Sequence, residues 1–240
     1  MTSLNPVPLN PVPTKSIARE YLEMLVGAVI LALFVRAFIF QAFKIPTGSM
    51  EPNLLIGDHL LVDKLIFSPS LGSVEDFIFA KRSIRRGDVL VFKFPEDPTR
   101  DFIKRVIGLP GETFEIQDKQ VLIDGQALPE TAYAHFLEPP LKRSDPDYGL
   151  FGEDMRDNFG PQKIPAGKLM MMGDNRDNSR DSRFWGTLSA TQVKGRAVVV
   201  YWSYEASREE YQQGASFQWL KDTLSAFGRT RWSRFFHVIR

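Results

Sequence analysis

Ser49 stands in the run Pro46-Thr47-Gly48-Ser49-Met50-Glu51-Pro52. Pro46 pushes Ile45 into an extended conformation. Gly48 opens backbone angles and close approaches barred to other residues, and Pro52 keeps a helix from running on. A hydroxyl held on such a kinked loop between apolar neighbours can attack a carbonyl, provided that a base removes its proton. Two kinds of base are present. His59 could join an aspartate in a Ser-His-Asp arrangement. The other is a lysine kept neutral by burial. Lys104 lies in Phe102-Ile103-Lys104-Arg105-Val106-Ile107, where strand alternation puts it on one face with Phe102 and Val106, and Arg105 on the other with Ile103 and Ile107. Two adjacent cations cannot leave by the same side, so at least one lies among apolar neighbours; periodicity does not say which. A third polar cluster runs from Gly173-Asp174-Asn175 through Ser179, Asp181 and Arg183 to Gly186. Its short side chains can order a loop and supply hydrogen bonds. A calcium loop is a poor fit, because Ser182 stands where glycine is wanted and Leu188 where the bidentate glutamate belongs.

These residues need elements to hold them. Tyr21 to Phe43 reads as a membrane span, with Met24 to Val35 free of charge. Its length crosses a roughly 30 Å hydrocarbon core. Arg36 can snorkel, and Phe38, Phe40 and Phe43 suit the interface. No small-x-small site ends the run, which favours an uncleaved anchor. Ser49 follows by six residues, so an extended chain keeps it within about 20 Å of the bilayer surface. Before the span lies a proline-punctuated tail; Lys15 and Arg19 favour a cytoplasmic N-terminus, a bias weakened by Arg36 and Lys44.

After Pro52 the chain becomes strand-like: His59–Phe67, Val89–Phe94, Phe102–Leu109, Leu169–Met172 and Ala197–Trp202, with an Asp124-Gly125 hairpin signal after Val121-Leu122-Ile123. Phe77-Ile78-Phe79-Ala80 is an oily patch that either dips into a bilayer surface or forms a buried strand. Residues 129–167 form an irregular excursion, and beyond Tyr204 the chain turns helix-like and ends in the basic, aromatic stretch Arg229 to Phe236. The expected class is mainly β. The net charge of +1 over 240 residues gives no reason to expect nucleic acid. The absence of cysteine excludes disulfides, thiolate nucleophiles and cysteine-held metals, and three widely spaced histidines argue against a metal site.

Taken together and in order, Pro46-Thr47-Gly48-Ser49-Met50-Glu51-Pro52, Arg86-Gly87-Asp88-Val89 leading to Ile103-Lys104-Arg105-Val106-Ile107-Gly108-Leu109-Pro110-Gly111, and Met172-Gly173-Asp174-Asn175-Arg176-Asp177-Asn178-Ser179 through Asp181-Ser182-Arg183 closely resemble the bacterial type I signal peptidases, or leader peptidases, a Ser-Lys dyad family. The resemblance runs from about Arg36 to Trp202. It implies an antiparallel β catalytic domain behind one N-terminal transmembrane helix, needing no cofactor or metal. It implies Ser49 as nucleophile and Lys104 as general base, with an oxyanion hole from the Ser49 N–H and the Thr47 hydroxyl, where better-known members have serine. It implies that Ser179 orients the lysine amine, that Asp181 and Arg183 form a supporting ion pair, and that Ile45, Met50, Leu54, Phe102 and Ile103 wall shallow pockets for small side chains. His59 falls where the family asks for no catalytic residue. The implied partners are exported preproteins with small-x-small cleavage sites, and membrane lipid. The implied location is the bacterial inner membrane, single-pass, with the N-terminus cytoplasmic and the catalytic domain on the outer, periplasmic face. The expected division is a tail at 1–19, an anchor at 20–44, a β catalytic core at 45–112 and 166–203, a short variable insertion at 113–165 and an amphipathic basic tail at 204–240. Two competing readings are a Ser-Lys processing peptidase of a conjugation or pilin system and a non-catalytic membrane-tethered β scaffold.

Overall fold

The computed structural model describes residues 16–67, 81–140, 154–206 and 228–239. The chain divides into two units, residues 1–39 and 40–240. In the first, helix α1 spans Ile17–Phe34, with Ser16 as its N-cap, and continues as a π turn over Val35–Ile39. The 23 residues from Ile17 to Ile39 are long and apolar enough to cross a membrane. The expected span, 20–44 in the domain division, differs at both ends. Its last residues, Phe40–Lys44, are a strand, β1, paired residue for residue with β2, Asp58–Asp63. Hydropathy cannot distinguish Phe40-Gln41-Ala42-Phe43 in a bilayer from the same residues on a sheet edge. The backbone of β2 offers them hydrogen bonds, and a strand results.

The second unit is built on antiparallel sheets, as its short alternating runs and turn signals imply. The main sheet orders its strands β1-β2-β11-β3-β4-β9-β10, with β12 (His237–Val238) pairing β11. Here β3 is Val89–Lys93, β4 Asp101–Gly108, β9 Lys168–Met172, β10 Leu188–Ser189 and β11 Val193–Ser203. Two apolar clusters line this sheet. One gathers Ile45, Met50, Leu54, Leu60, Val62, Val89, Val91, Ala197, Val200 and Ile239. The other gathers Leu90, Phe92, Val106, Leu169, Met171 and Leu188. Leu90 and Val91 thus belong to different clusters, the period-2 signature of a strand buried on both faces.

The expected insertion at 113–165 supplies a second, four-stranded sheet ordered β7-β6-β5-β8: β5 Thr113–Gln117, β6 Gln120–Ile123, β7 Gln126–Ala127 and β8 Phe159–Lys163. Its Phe114, Ile116, Val121 and Ile123 pack with Ile107, Met170 and Met172 of the main sheet, so the two sheets share a core. The Phe77–Ala80 patch lies outside the described residues.

The C-terminal stretch differs most from its expectation as a tail. Residues 228–239 return to the main sheet. Val238 pairs with Val199 and His237 with Val200, and Ile239 is buried in the core. Arg234 clasps the fully buried Asp58 through two bonds, 3.1 and 2.6 Å, and donates to the Asn53 carbonyl at 2.8 Å. Arg231 donates to the Ile56 carbonyl. Arg231 and Arg234, two of the arginines that give the stretch its basic composition, thus bond internally to the segment after Ser49, while Trp232 and Phe236 stay exposed. Removing one partner of a buried ion pair strands the other charge without water. Arg234→Ala is therefore expected to lower the unfolding free energy by about 3 kcal/mol in urea titrations. Arg180→Ala, which breaks an exposed pair with Glu96, should change it by less than about 1 kcal/mol.

Candidate active site

Ser49 lies in a single 3-10 turn, Gly48–Met50, entered from Thr47 in extended conformation. It is fixed from both directions. Met50 and Leu54 sink into the core behind it. In front, the loop after β9 grips its backbone: the Asn175 N–H donates to the Ser49 carbonyl at 3.1 Å, and Asn175 Nδ2 donates to the Gly48 carbonyl at 3.2 Å. This close approach requires a glycine at 173, since a Cβ there would collide with the Ser179 side chain and the Ser49 carbonyl.

Strand β4 brings Lys104 in from the side. Its Nζ lies 2.7 Å from Ser49 Oγ and 3.0 Å from the Ile103 carbonyl, with the Phe102 ring 5.5 Å away. Lys104 is 4% exposed and Ser49 8%. Burial drives the amine down from an ordinary lysine value to about 8, opposed by the nearby Asp181 and Asp174 carboxylates and assisted by Arg183. At pH 7 about one amine in ten is then neutral, against about one in 2,500 for a free lysine.

Both adjacent cations of β4 are buried, on opposite faces, which is more than alternation alone required. Arg105 forms a bidentate pair with Asp174, both bonds 2.7 Å, and also bonds the Gly87 carbonyl. Asp174 accepts a further bond from Asn53 at 2.8 Å. Two residues further along the loop, Arg176 is paired bidentately with Glu130 of the excursion, both bonds 2.6 Å. Asn53, Asn175, Arg105, Asp174 and the Arg176–Glu130 pair escaped the residue-by-residue reading. The density of charge around Asp174 was the visible signal; nothing local marks Asn53 or Glu130.

Asp181 and Arg183 form a fully buried pair at 2.8 Å. Asp181 also accepts the Gly173 N–H at 3.0 Å, and Arg183 donates to the carbonyls of Arg176 and Arg156. The pair thus ties the loop to itself immediately beside the amine. Burial pushes the Asp181 carboxyl up, but Arg183 and its hydrogen bonds more than offset this, and the net shift is downward. Ser179 Oγ is buried beside Gly173. It makes no hydrogen bond of good geometry, although it lies near enough to Asp181 to help depress that carboxyl. The amine's two bonded partners are Ser49 and Ile103, and Ser179 is not among them. Thr47 is exposed, and its hydroxyl makes no capping bond to the turn. Of the five expected pocket walls, Ile45, Met50 and Leu54 are buried in the core, while Phe102 and Ile103 are only half-buried. His59 is elsewhere, opposite Lys44 and Trp202 on β2, ringed by Tyr201, Trp202 and Tyr204. Burial and Lys44 lower its pKa to about 4.

The mainly β fold thus brings a serine hydroxyl within 2.7 Å of a buried amine. A family model described as "Signal peptidase, peptidase S26" matches residues 18–202. A signal peptidase I of Pseudomonas fluorescens is 34% identical over 208 residues, covering 77% of this chain and 72% of its own. One from Leptolyngbya laminosa is 39% identical over 184 residues, covering 73% and 75%, and one from Aquifex aeolicus 32% identical over 230, covering 77% and 84%. A crystal structure of a signal peptidase I from Enterococcus faecalis aligns at 30% identity over 48% of this chain and 97% of that one, with a TM-score of 0.36. The chain belongs to the signal peptidase family, peptidase S26.

A buried amine with a lowered pKa costs stability at neutral pH. As pH falls, the unfolded chain takes up the proton near 10.5 but the folded chain only near 8. Stability is therefore lost across that window and is not regained below it. Lys104→Met should unfold at a free energy up to about 3 kcal/mol higher than wild type at pH 7, an advantage that narrows to about 1 kcal/mol by pH 10. Urea titrations at the two pH values check this. Gly173→Ala is expected to keep its far-UV circular dichroism but lose at least about tenfold in proteolytic kcat/KM, because the Ser49 backbone must shift.

Proposed function

We propose that this protein is a membrane-anchored endopeptidase that removes N-terminal signal peptides from exported preproteins, with Ser49 as nucleophile and Lys104 as its base. The observation that carries this reading is the 2.7 Å separation of Lys104 Nζ and Ser49 Oγ, with both residues buried. The heavy-atom distance suits a neutral amine accepting the hydroxyl proton as well as an ammonium donating to it. Family membership supports the substrate class.

In the proposed reaction the neutral Lys104 amine takes the Ser49 proton as Oγ attacks the scissile carbonyl. The carbonyl oxygen becomes an anion, held by the Ser49 N–H and the exposed Thr47 hydroxyl. The N–H suits this role because the first amides of a helical turn have no partner within it. The tetrahedral species collapses, and the C–N bond breaks. The Lys104 ammonium returns its proton to the departing amine, which is the new N-terminus of the mature protein. Lys104 then deprotonates water, which attacks the ester and frees Ser49. Ile103 packs against the cluster that holds Ile45, Met50 and Leu54, and Phe102 against the cluster of Leu90, Phe92 and Val106; in this reading the five residues would wall shallow pockets for the small side chains of small-x-small cleavage sites. The Asp181–Arg183 pair and Ser179 would steady the loop that faces the amine. The N-terminus would be cytoplasmic and the catalytic domain on the outer face, following the positive residues ahead of the span.

The test is cleavage of one secreted preprotein in detergent. Ser49→Ala and Lys104→Ala are expected to fold and to lose at least about a thousandfold in kcat/KM, while His59→Ala stays within about twofold of wild type. Cleavage by Lys104→Ala near the wild-type rate would overturn the assignment. The kcat/KM should rise tenfold per pH unit below the amine's value and level off above about 8. A profile that levels off by pH 7 would point to histidine.

A further inference from the structure

Glu51 lies two residues after Ser49, and its side chain turns back over the nucleophile turn. A Cβ placed on Gly48 would be 2.7 Å from Glu51 Oε2, 2.9 Å from Cδ and 3.2 Å from Oε1. The carboxylate thus sits against Gly48, on the link between Thr47 and Ser49. It is half-exposed, and among the described residues no hydrogen bond or ion pair is found for it. Every other carboxylate placed close to the site is neutralised. Asp174 is paired with Arg105, Asp181 with Arg183 and Glu130 with Arg176. Lys104 directs its amine to Ser49 and Ile103, not to Glu51.

An uncompensated negative charge beside an acyl-transfer centre acts on what approaches. The scissile peptide must lie across Thr47-Gly48-Ser49 to put its carbonyl near the Ser49 amide, so its flanking residues pass next to this carboxylate. We propose that Glu51 is a specificity-determining residue that makes cleavage charge-selective, favouring lysine or arginine and opposing aspartate or glutamate in the residues flanking the scissile bond. The proposal rests on the reading of Ser49 as nucleophile. Because the carboxylate is partly in water, the effect is that of a screened, surface-type charge pair, about two- to fivefold per charge rather than orders of magnitude.

The experiment compares peptides of one small-x-small sequence that carry Lys, Gln or Glu at a single position, placed in turn at each of the two residues on either side of the cleaved bond. At low ionic strength the wild type should rank Lys above Gln above Glu at one or more of these positions, by about two- to fivefold per step in kcat/KM. The ranking should shrink in 0.5 M salt, persist in Glu51→Asp and disappear in Glu51→Gln, each variant being judged on its own Lys-to-Glu ratio. Equal rates for the three peptides at every position, or an unchanged ranking in Glu51→Gln, would overturn the proposal. The Gln peptides separate the two readings. If the wild type cleaves them and Ser49→Ala does not, the peptidase reading stands and the charge ranking alone decides about Glu51. If the wild type leaves them uncut or Ser49→Ala still cuts them, both fall.

Discussion

The structure turns on a contact that water would abolish. In solution a lysine amine holds its proton, and a serine hydroxyl has no reason to prefer it to solvent. Here β4 carries Lys104 into a space walled by its own sheet and by the turn at Ser49. The 2.7 Å contact is favoured because burial leaves both groups little access to bulk water. The same burial that makes the amine useful is unfavourable for folding, since the charged form loses its water and finds no carboxylate within bonding distance. The surrounding architecture serves to hold that costly arrangement in place.

It does so with paired charges at one remove. Asp174 is the junction: Arg105 binds it from β4 and Asn53 from the segment after Ser49. Its neighbours along the chain, Gly173 and Asn175, pack against Ser49 and bond its carbonyl. Strand, turn and loop are thus bound to one carboxylate, so the amine, the hydroxyl and the backbone around them move together or not at all. Asp181 and Arg183 perform the same service within the loop. Pairs this deeply buried add little net stability compared with apolar packing, but they fix geometry, because any displacement leaves a charge without a partner.

Two parts of the chain that look peripheral along the sequence are drawn into this support. The excursion contributes Glu130 to Arg176, and the stretch after residue 228 contributes Arg234 to Asp58 and Asn53. Glu51, by contrast, has no ion pair among the described residues and lies against Gly48.

Much of this was legible in the residues. The charge-free run from Met24 to Val35, the Pro-Thr-Gly-Ser turn, alternation along Phe102 to Ile107 and the Gly-Asp-Asn cluster are local features, and each sets local geometry by its own sterics or periodicity. They pointed to a mainly β protein with one apolar helix long enough to cross a membrane, to a candidate serine and a short set of candidate bases, and, through the resemblance they carry, to the family. Tertiary structure decided what depends on residues far apart in the chain. Phe40–Lys44 is a strand because β2 is beside it, whereas its composition fits a bilayer equally well. Residue types alone leave both His59 and Lys104 as candidate bases, and only the resemblance favours Lys104; the strand order puts one among aromatic rings and the other against Ser49. The arginines near the C-terminus looked solvent-bound until the fold placed Asp58 and a free carbonyl within their reach. Local pattern decides how a segment is shaped and which face it buries. Which charge meets which is a matter of three-dimensional proximity, and in this protein that proximity sets the protonation state on which the chemistry depends.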